Sequence, residues 1–353
     1  MLDIYAGSSA LKTIQEHGFK QELFTNFLGA SGGPKWFSLF GLDKYFFGEF
    51  FQGRSTELNV IGSSAGAFRA ACFAQKNPVE AISRLAQNYA HTRYNKTPSA
   101  DDISQSAVSM LDHLFQDKGI DEVINNPIIK AHFIVAKSYG LTSFENKLVQ
   151  GVGLLGSMLL NKVSRKLLTL QYDRYIYRPK SSTLKISDPY KITSHYVDFT
   201  PENISEALLA SGSIPMVMNG IKNISGSPKG IYRDGGIIDY HFDFSLTHKA
   251  QGLTLYPHFN PTPKAGWFDK SSNRQVLAKS YKDTVLLVPS AQFIASLPYQ
   301  KIPDRDDFKH LDTDVRIKYW SNVLCDADRL AEEFNHFIHQ QDLSKIKPFQ
   351  PKL

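Results

Sequence analysis

The stretch Gly62-Ser63-Ser64-Ala65-Gly66 puts a serine hydroxyl where a chain can do acyl chemistry. It follows the apolar run Asn59–Ile61 and precedes a helix-forming segment. A serine framed as Gly-x-Ser-x-Gly at a strand-to-helix turn has the frame of a nucleophile elbow, and Ser64 holds its middle position. Gly62 and Gly66 leave room for the sharp turn and for close packing of helix on strand. The N–H of Ala65, directly after the serine, is then an oxyanion donor. A serine hydroxyl is a poor nucleophile until a base takes its proton, so the chain must supply one. Histidine is the usual base. His241, His248 and His258 lie downstream of Asp234 and would allow a Ser…Asp…His order, but none has a distinctive local frame. Asp234 does have one: it ends an apolar run and is followed by Gly235-Gly236, which allow a tight exit and leave the carboxylate unshielded. An ordinary Asp-Gly turn is the competing reading.

A second glycine turn, Leu28 to Phe37, follows an apolar run and opens a helical segment. Such a turn aims backbone N–H groups at an anion, either a bound phosphate or a developing oxyanion. A Walker loop must end in Gly-Lys-Ser/Thr, whereas this one ends in Gly33-Pro34-Lys35-Trp36. The dinucleotide pattern G-x-G-x-x-G is also absent. Gly32 and Gly33 fit the oxyanion role, because each can donate an N–H and neither has a Cβ to block a carbonyl. A turn whose glycines only satisfy φ is the plainer alternative.

Elements that could hold these residues alternate along the chain. Expected strands are Phe24–Leu28, Asn59–Ile61, His132–Ala136, His195–Phe199, Ile231–Tyr232 running up to Asp234, Leu253–Tyr256 and Thr284–Val288. Expected helices are Pro34–Phe50, Ala65–Gln75, Pro78–Arg93, Phe144–Leu170 with Ser143 as N-cap, Pro201–Ser211 and Val315–His339. The segment between Asn260 and Ser280 is rich in turn residues and reads as a loop. Alternating strands and helices call for an α/β fold with a mostly parallel sheet. No repeat or low-complexity linker divides the 353 residues, so one domain is expected. Its motif-bearing core spans about 20–260, and a C-terminal extension of about 261–353 ends in a long helix.

The composition is 42% hydrophobic and 21% charged, which supports a sizeable core and excludes global disorder. The net charge of +6 is spread along the chain. That gives no nucleic-acid footprint but favours encounter with an anionic membrane surface. Cys72 and Cys325 make no disulfide framework, and each reads as a packed core thiol. The first 20 residues show no secretory signal. The uncharged run Leu148 to Asn161 is too short to span a bilayer. A cytoplasmic or peripheral membrane location is expected, with signal-independent export left open.

Taken together these motifs resemble the patatin-like phospholipases. The resemblance is carried by Gly32-Gly33-Pro34-Lys35, Gly62-Ser63-Ser64-Ala65-Gly66, Ala210-Ser211-Gly212-Ser213-Ile214-Pro215 and Asp234-Gly235-Gly236, in matching order and spacing. It implies a three-layer α/β/α sandwich and hydrolysis of lipid acyl esters by a Ser–Asp dyad without histidine. Asp234 would then take the proton from Ser64, with no cofactor and no metal. The family loop commonly reads Asp-Gly-Gly-Gly-x-Arg; here Ala30-Ser31 replace its first two residues and Lys35 its arginine. Phospholipids are the expected substrates. A soluble carboxylesterase or thioesterase and a non-catalytic lipid-binding module are the alternatives.

The segment 144–168 carries Phe144, Leu148, Val152, Leu155, Leu159 and Val163 on one helical stripe, flanked by Lys147, Lys162, Arg165 and Lys166. Two placements fit this pattern. The stripe could pack on the core behind a solvated basic face, or it could lie in the interface of an anionic membrane.

Overall fold

The apolar runs become strands of one large sheet. The computed structural model describes residues 1–94, 97–248 and 251–351. Its strands are β1 (Leu2–Ala6), β2 (Phe24–Gly29), β3 (Leu58–Ser63), β4 (Ile129–Ser138), β5 (Tyr172–Arg178), β6 (Lys185–Ser187) and β7 (Ser194–Asp198). They continue with β8 (Ile221–Lys222), β9 (Ile231–Asp234), β10 (Ser245–Thr247), β11 (Leu253–Pro257), β12 (Thr284–Pro289) and β13 (Ile346–Pro348). Among the described residues the main sheet runs β13-β1-β12-β11-β2-β3-β4-β5-β7, with β9 and β8 attached beside β4; β6 and β10 pair separately. The five strands from β12 to β4 are mutually parallel. Every residue of β2, β3, β11 and β12 is buried, as expected for parallel strands covered on both faces. Helices flank the sheet, and the chain forms the expected mostly parallel α/β sandwich.

One strand acts as the ruler for the site. Along one side of β4, β3 runs parallel and ends with Ser63 opposite Ile134. Beyond that rung β9 takes over the same side, antiparallel, and ends with Asp234 opposite Val135. Two strands therefore meet end to end on adjacent rungs of β4, about 3.3 Å apart along the strand. The residue that follows Ser63 must turn away just where Asp234 arrives.

Several expected elements differ in detail. The segment expected as one helix from Pro34 to Phe50 is a 3₁₀ turn, Gly33–Leu39, then a short α-helix, Phe40–Tyr45, then a π turn, Phe46–Phe50. Its side chains are buried almost all round, so packing rather than one amphipathic face sets its winding. The expected C-terminal helix is two, Thr313–Asp326 and Asp328–Gln340, broken at Ala327, whose carbonyl lies against the Cα of Gly41. The chain then returns to the sheet as β13 rather than ending in helix. Cys72 is buried, but Cys325 is exposed and is no core thiol. The helix expected over 144–170 starts later and stops earlier, at Lys147–Val163. Asn146 is its cap: the Asn146 side chain, not that of Ser143, accepts from the Leu148 and Val149 N–H groups.

That helix is turned inside out relative to an ordinary surface helix. Its buried residues are Gln150, Gly153, Ser157 and Asn161. Phe144, Leu148, Val152, Leu155, Leu159 and Val163 all face solvent. The core-facing placement of the apolar stripe is therefore excluded. Lys147, Lys162 and Lys166 are exposed beside it, but Arg165 is not one of the flanking surface cations. Arg165 is buried, with its guanidinium on the Ile238 carbonyl and near Asp239 and Asp269.

Candidate active site

Ser64 follows the last residue of β3 and caps the helix Ala65–Phe73 with φ 54° and ψ −128°. A non-glycine residue held at positive φ is a sparsely populated conformation that packing must enforce. The enforcing contacts are visible. A Cβ on Gly66 would overlap the Gly29 carbonyl, and one on Gly62 would overlap the Gly66 carbonyl, so strand and helix touch backbone to backbone. The Ser64 N–H donates to Ser211 Oγ at 3.0 Å, and that hydroxyl in turn donates to the Ile134 carbonyl at 2.7 Å. The small residues 210–213 thus brace the turn from the neighbouring helix.

The Ser64 hydroxyl donates to Asp234 Oδ2 at 2.8 Å. The other carboxylate oxygen accepts the Gly236 N–H at 2.7 Å, while the Asp234 N–H donates to the Ser213 carbonyl at 3.0 Å. Both side chains are almost fully buried. Burial pushes the Asp234 carboxyl above its ordinary range. The charge of Arg305, the Gly236 N–H and the Ser64 hydroxyl work in the other direction. Ser63 points elsewhere: its hydroxyl is 2.7 Å from that of Ser31.

The histidines are engaged away from this pair. His241 Nδ1 accepts the Lys264 N–H, His248 Nε2 bonds Thr25 Oγ1, and His258 Nδ1 pairs with Asn260. Burial lowers the pKa of His258 to about 3 and that of His241 well below the usual value, so both are neutral imidazoles at pH 7.

Ser31, Ser64, Asp234 and Gly236 line one cleft together with Ile214-Pro215, Tyr240, Trp267, Lys270 and Arg305. It encloses about 260 Å³ of empty space, open solvent at its mouth included. A roomier cavity of about 480 Å³ lies by Asn26, Thr254 and Thr284, and neither Ser64 nor Asp234 lines it. The cleft sits beyond the C-terminal end of β3, where open parallel sheets place their ligand sites. Gly32 and Gly33 follow Ser31 in the glycine turn, both at positive φ, with Gly32 against the Phe259 ring. Arg305 lies over Gly33, its Nε 2.9 Å from where a Cβ would stand. Lys35, the basic end of that turn, is 3.9 Å from Asp304. Gly235 packs against the Ile134 carbonyl and lets the chain leave β9 beside β4. Ala65 opens its helix, where N–H groups have no acceptor in a preceding turn.

Sequence reasoning missed Tyr240, Trp267, Lys270 and Arg305. Lys270 lies in the turn-rich 260–280 segment and Arg305 between short helical turns, and no local frame marks either. Their places come from long-range packing. Asp269 accepts from Asn161 Nδ2 at 2.8 Å and from Arg274 at 2.8 Å, which pins the Trp267–Asp269 turn to the 147–163 helix.

A family model described as patatin-like phospholipase matches residues 58–241, just over half of the chain, with Ser64 and Asp234 inside the matched span. No curated protein and no solved structure matches. The match begins after the glycine turn and ends before Lys270 and Arg305. The chain belongs to the patatin-like phospholipase family, whose members are lipid acyl hydrolases.

Proposed function

We propose that the protein cleaves acyl esters of lipids, phospholipids above all, with Ser64 as nucleophile and Asp234 as its base. The observation that carries this reading is the 2.8 Å hydrogen bond from the Ser64 hydroxyl to Asp234 at the end-to-end meeting of β3 and β9. Ser64 Oγ attacks the ester carbonyl as its proton passes to Asp234 Oδ2. The N–H groups of Gly32, Gly33 and Ala65 hold the tetrahedral oxyanion. Collapse breaks the bond to the alcohol oxygen, which leaves with the proton from Asp234, and an acyl-serine remains. Water then attacks the acyl-serine as Asp234 takes its proton, and collapse breaks the bond to Ser64 Oγ, which receives that proton back from Asp234 as the carboxylic acid departs. A carboxylate is a weak base for an alkanol, but burial raises its pKa toward the operating range, and concerted transfer avoids a free alkoxide. Neither step calls for a metal or a cofactor.

The lipid-facing element of this reading is the 147–163 helix. Its apolar stripe points outward, and three exposed lysines flank it, matching an anionic bilayer surface in both polarity and charge. It is also tied to the cleft. Gln150 Oε1 accepts the Met216 N–H at 2.7 Å, just after Ile214-Pro215, and Asn161 holds Asp269, just before Lys270. These two hydrogen bonds join the helix to segments that line the cleft. Among the described residues no helix is long and apolar enough to cross a membrane.

Labelling with a fluorophosphonate, followed by ester assays on monomeric and micellar substrates, tests the proposal. Ser64→Ala should abolish labelling and turnover in a folded protein, and Ser63→Ala should retain most of both. Label on Ser63 would overturn the assignment of the nucleophile.

A further inference from the structure

Two cations line the cleft without a carboxylate of their own. Elsewhere most buried guanidiniums sit on acids, Arg69 on Asp43, Arg174 on Asp239 and Asp188, Arg233 on Glu145, while Arg316 donates to the Ala90 and Thr92 carbonyls. Among the described residues no ion pair holds Arg305 or Lys270, although both line the cavity that contains the Ser64 hydroxyl. The acids nearest to them are engaged with other lysines: Asp304 with Lys301 and Lys35, Asp306 with Lys309. That leaves Asp234 as the carboxylate shared with the cleft, and its oxygens are occupied by Ser64 and Gly236. The Lys270 ammonium stands 4.1 Å from the Tyr240 ring centroid, a contact that orients the charge without neutralising it. Lys270 is reachable from solvent, yet the packing around its ammonium and the nearby Arg305 lower its pKa to about 8. Two like charges kept together beside a small cleft are costly until an anion joins them.

We propose that Arg305 and Lys270 form an anion subsite beside Ser64 that holds the phosphate of an acylglycerophosphate while the adjacent ester carbonyl sits at the Ser64 hydroxyl. The inference rests on the acyl-hydrolase reading above and narrows its substrate. A guanidinium offers a planar fork to two phosphate oxygens, and the ammonium adds a point charge. In a glycerophospholipid the phosphate lies only a few bonds from the acyl ester, so one compact cleft can hold both. Both residues lie outside the 58–241 span that the family model matches.

The test compares kcat/KM of the full-length protein at pH 8 on two monomeric substrates of equal short chain length. One is a diacyl phosphatidic acid and the other the neutral diacylglycerol. Arg305→Gln and Lys270→Gln should each lower kcat/KM on the phosphate-bearing substrate by about 10- to 100-fold, mostly through KM. The fall on the neutral ester should be much smaller, so the preference collapses, and Arg305→Lys should recover part of it. Glycerol 3-phosphate should slow fluorophosphonate labelling of Ser64 in the native protein but not in the double variant. Slowing by inorganic phosphate alone would mean a free-phosphate site and overturn the lipid assignment. Equal losses on both substrates would overturn the subsite and make the two cations supports of the Ser64–Asp234 pair. An unchanged preference would overturn it as well. Loss of all labelling and turnover in the native protein would instead sink the acyl-hydrolase reading on which the subsite depends.

Discussion

Truncating the outward stripe of the 147–163 helix separates lipid docking from fold support, because its leucines make so little contact with the rest of the protein. Leu148 is 83% exposed and Leu159 56% exposed. Leucine to alanine removes three carbons, each contributing about 0.8 kcal/mol when moved from water to an apolar medium. Scaled by those exposures, Leu148→Ala gives up at most about 2 kcal/mol of bilayer contact and Leu159→Ala about 1.3 kcal/mol. The double variant should therefore lose roughly 200-fold in vesicle affinity, as an upper figure for side chains that enter the interface fully. The folded state should lose much less, at most about 1.5 kcal/mol for the double variant, from the fractions of the two side chains that the protein covers. The assay is flotation with vesicles containing anionic lipid, run beside urea unfolding of the same samples. Lys147, Lys162 and Lys166 changed together to Gln should weaken binding further, by about 1 kcal/mol per charge at low salt, and added salt should erase that difference. The reasoning fails if the double Ala variant loses several kcal/mol of stability, or if it floats as well as the unmodified protein.

Further outcomes follow from the buried charges. Arg165→Gln should destabilise by about 1–3 kcal/mol in denaturant unfolding, because it takes the buried guanidinium from the Ile238 carbonyl while Asp239 keeps Arg174 and Asp269 keeps Arg274, whereas Lys162→Gln should cost almost nothing. Because burial raises the Asp234 pKa, the acid limb of kcat/KM should lie above the ordinary carboxylate range near 3.8. Arg305→Gln should move it higher by removing the charge that favours the carboxylate. His132, fully buried against the Ser182 hydroxyl, has its pKa lowered to about 3. The unfolded chain therefore binds a proton there below about pH 6.5 that the folded chain refuses, and stability falls with acidification between those values. Replacement by Gln should reduce the acid slope of unfolding free energy by about 1.4 kcal/mol per pH unit over that window.

What could be read from the sequence was local. Gly62-Ser63-Ser64-Ala65-Gly66 and Asp234-Gly235-Gly236 announce themselves because a backbone must bend sharply or touch another backbone at those glycines. The apolar runs at Asn59–Ile61 and Leu253–Tyr256 read as buried strands, and both are. The shorter breaks were not legible. The winding of 33–50 is set by aromatic packing on all sides, and the kink at Ala327 coincides with its contact with Gly41, so neither is written in periodicity. The 144–168 stripe left two placements open because amphipathicity reports two faces without saying which one faces in. Only the partners of Gln150, Ser157 and Asn161 decide that. Arg165 was misplaced for the same reason, since one basic residue among four turns inward to acids that lie 74 and 104 positions away. Lys270 and Arg305 reach the cleft through tertiary packing and leave no trace in their neighbours.

The proton acceptor is the centre of the account, and Asp234→Asn tests it most directly. Asparagine keeps an oxygen for the Gly236 N–H but presents an amide to Ser64, so the shape survives and the base does not. Turnover of a monomeric short-chain ester, normalised to folded protein, should fall by about 10²–10⁴-fold, while His248→Asn and His258→Asn stay within a few-fold of the parent. Retention of turnover by Asp234→Asn, or a comparable collapse in either histidine variant, would contradict the Ser64–Asp234 mechanism.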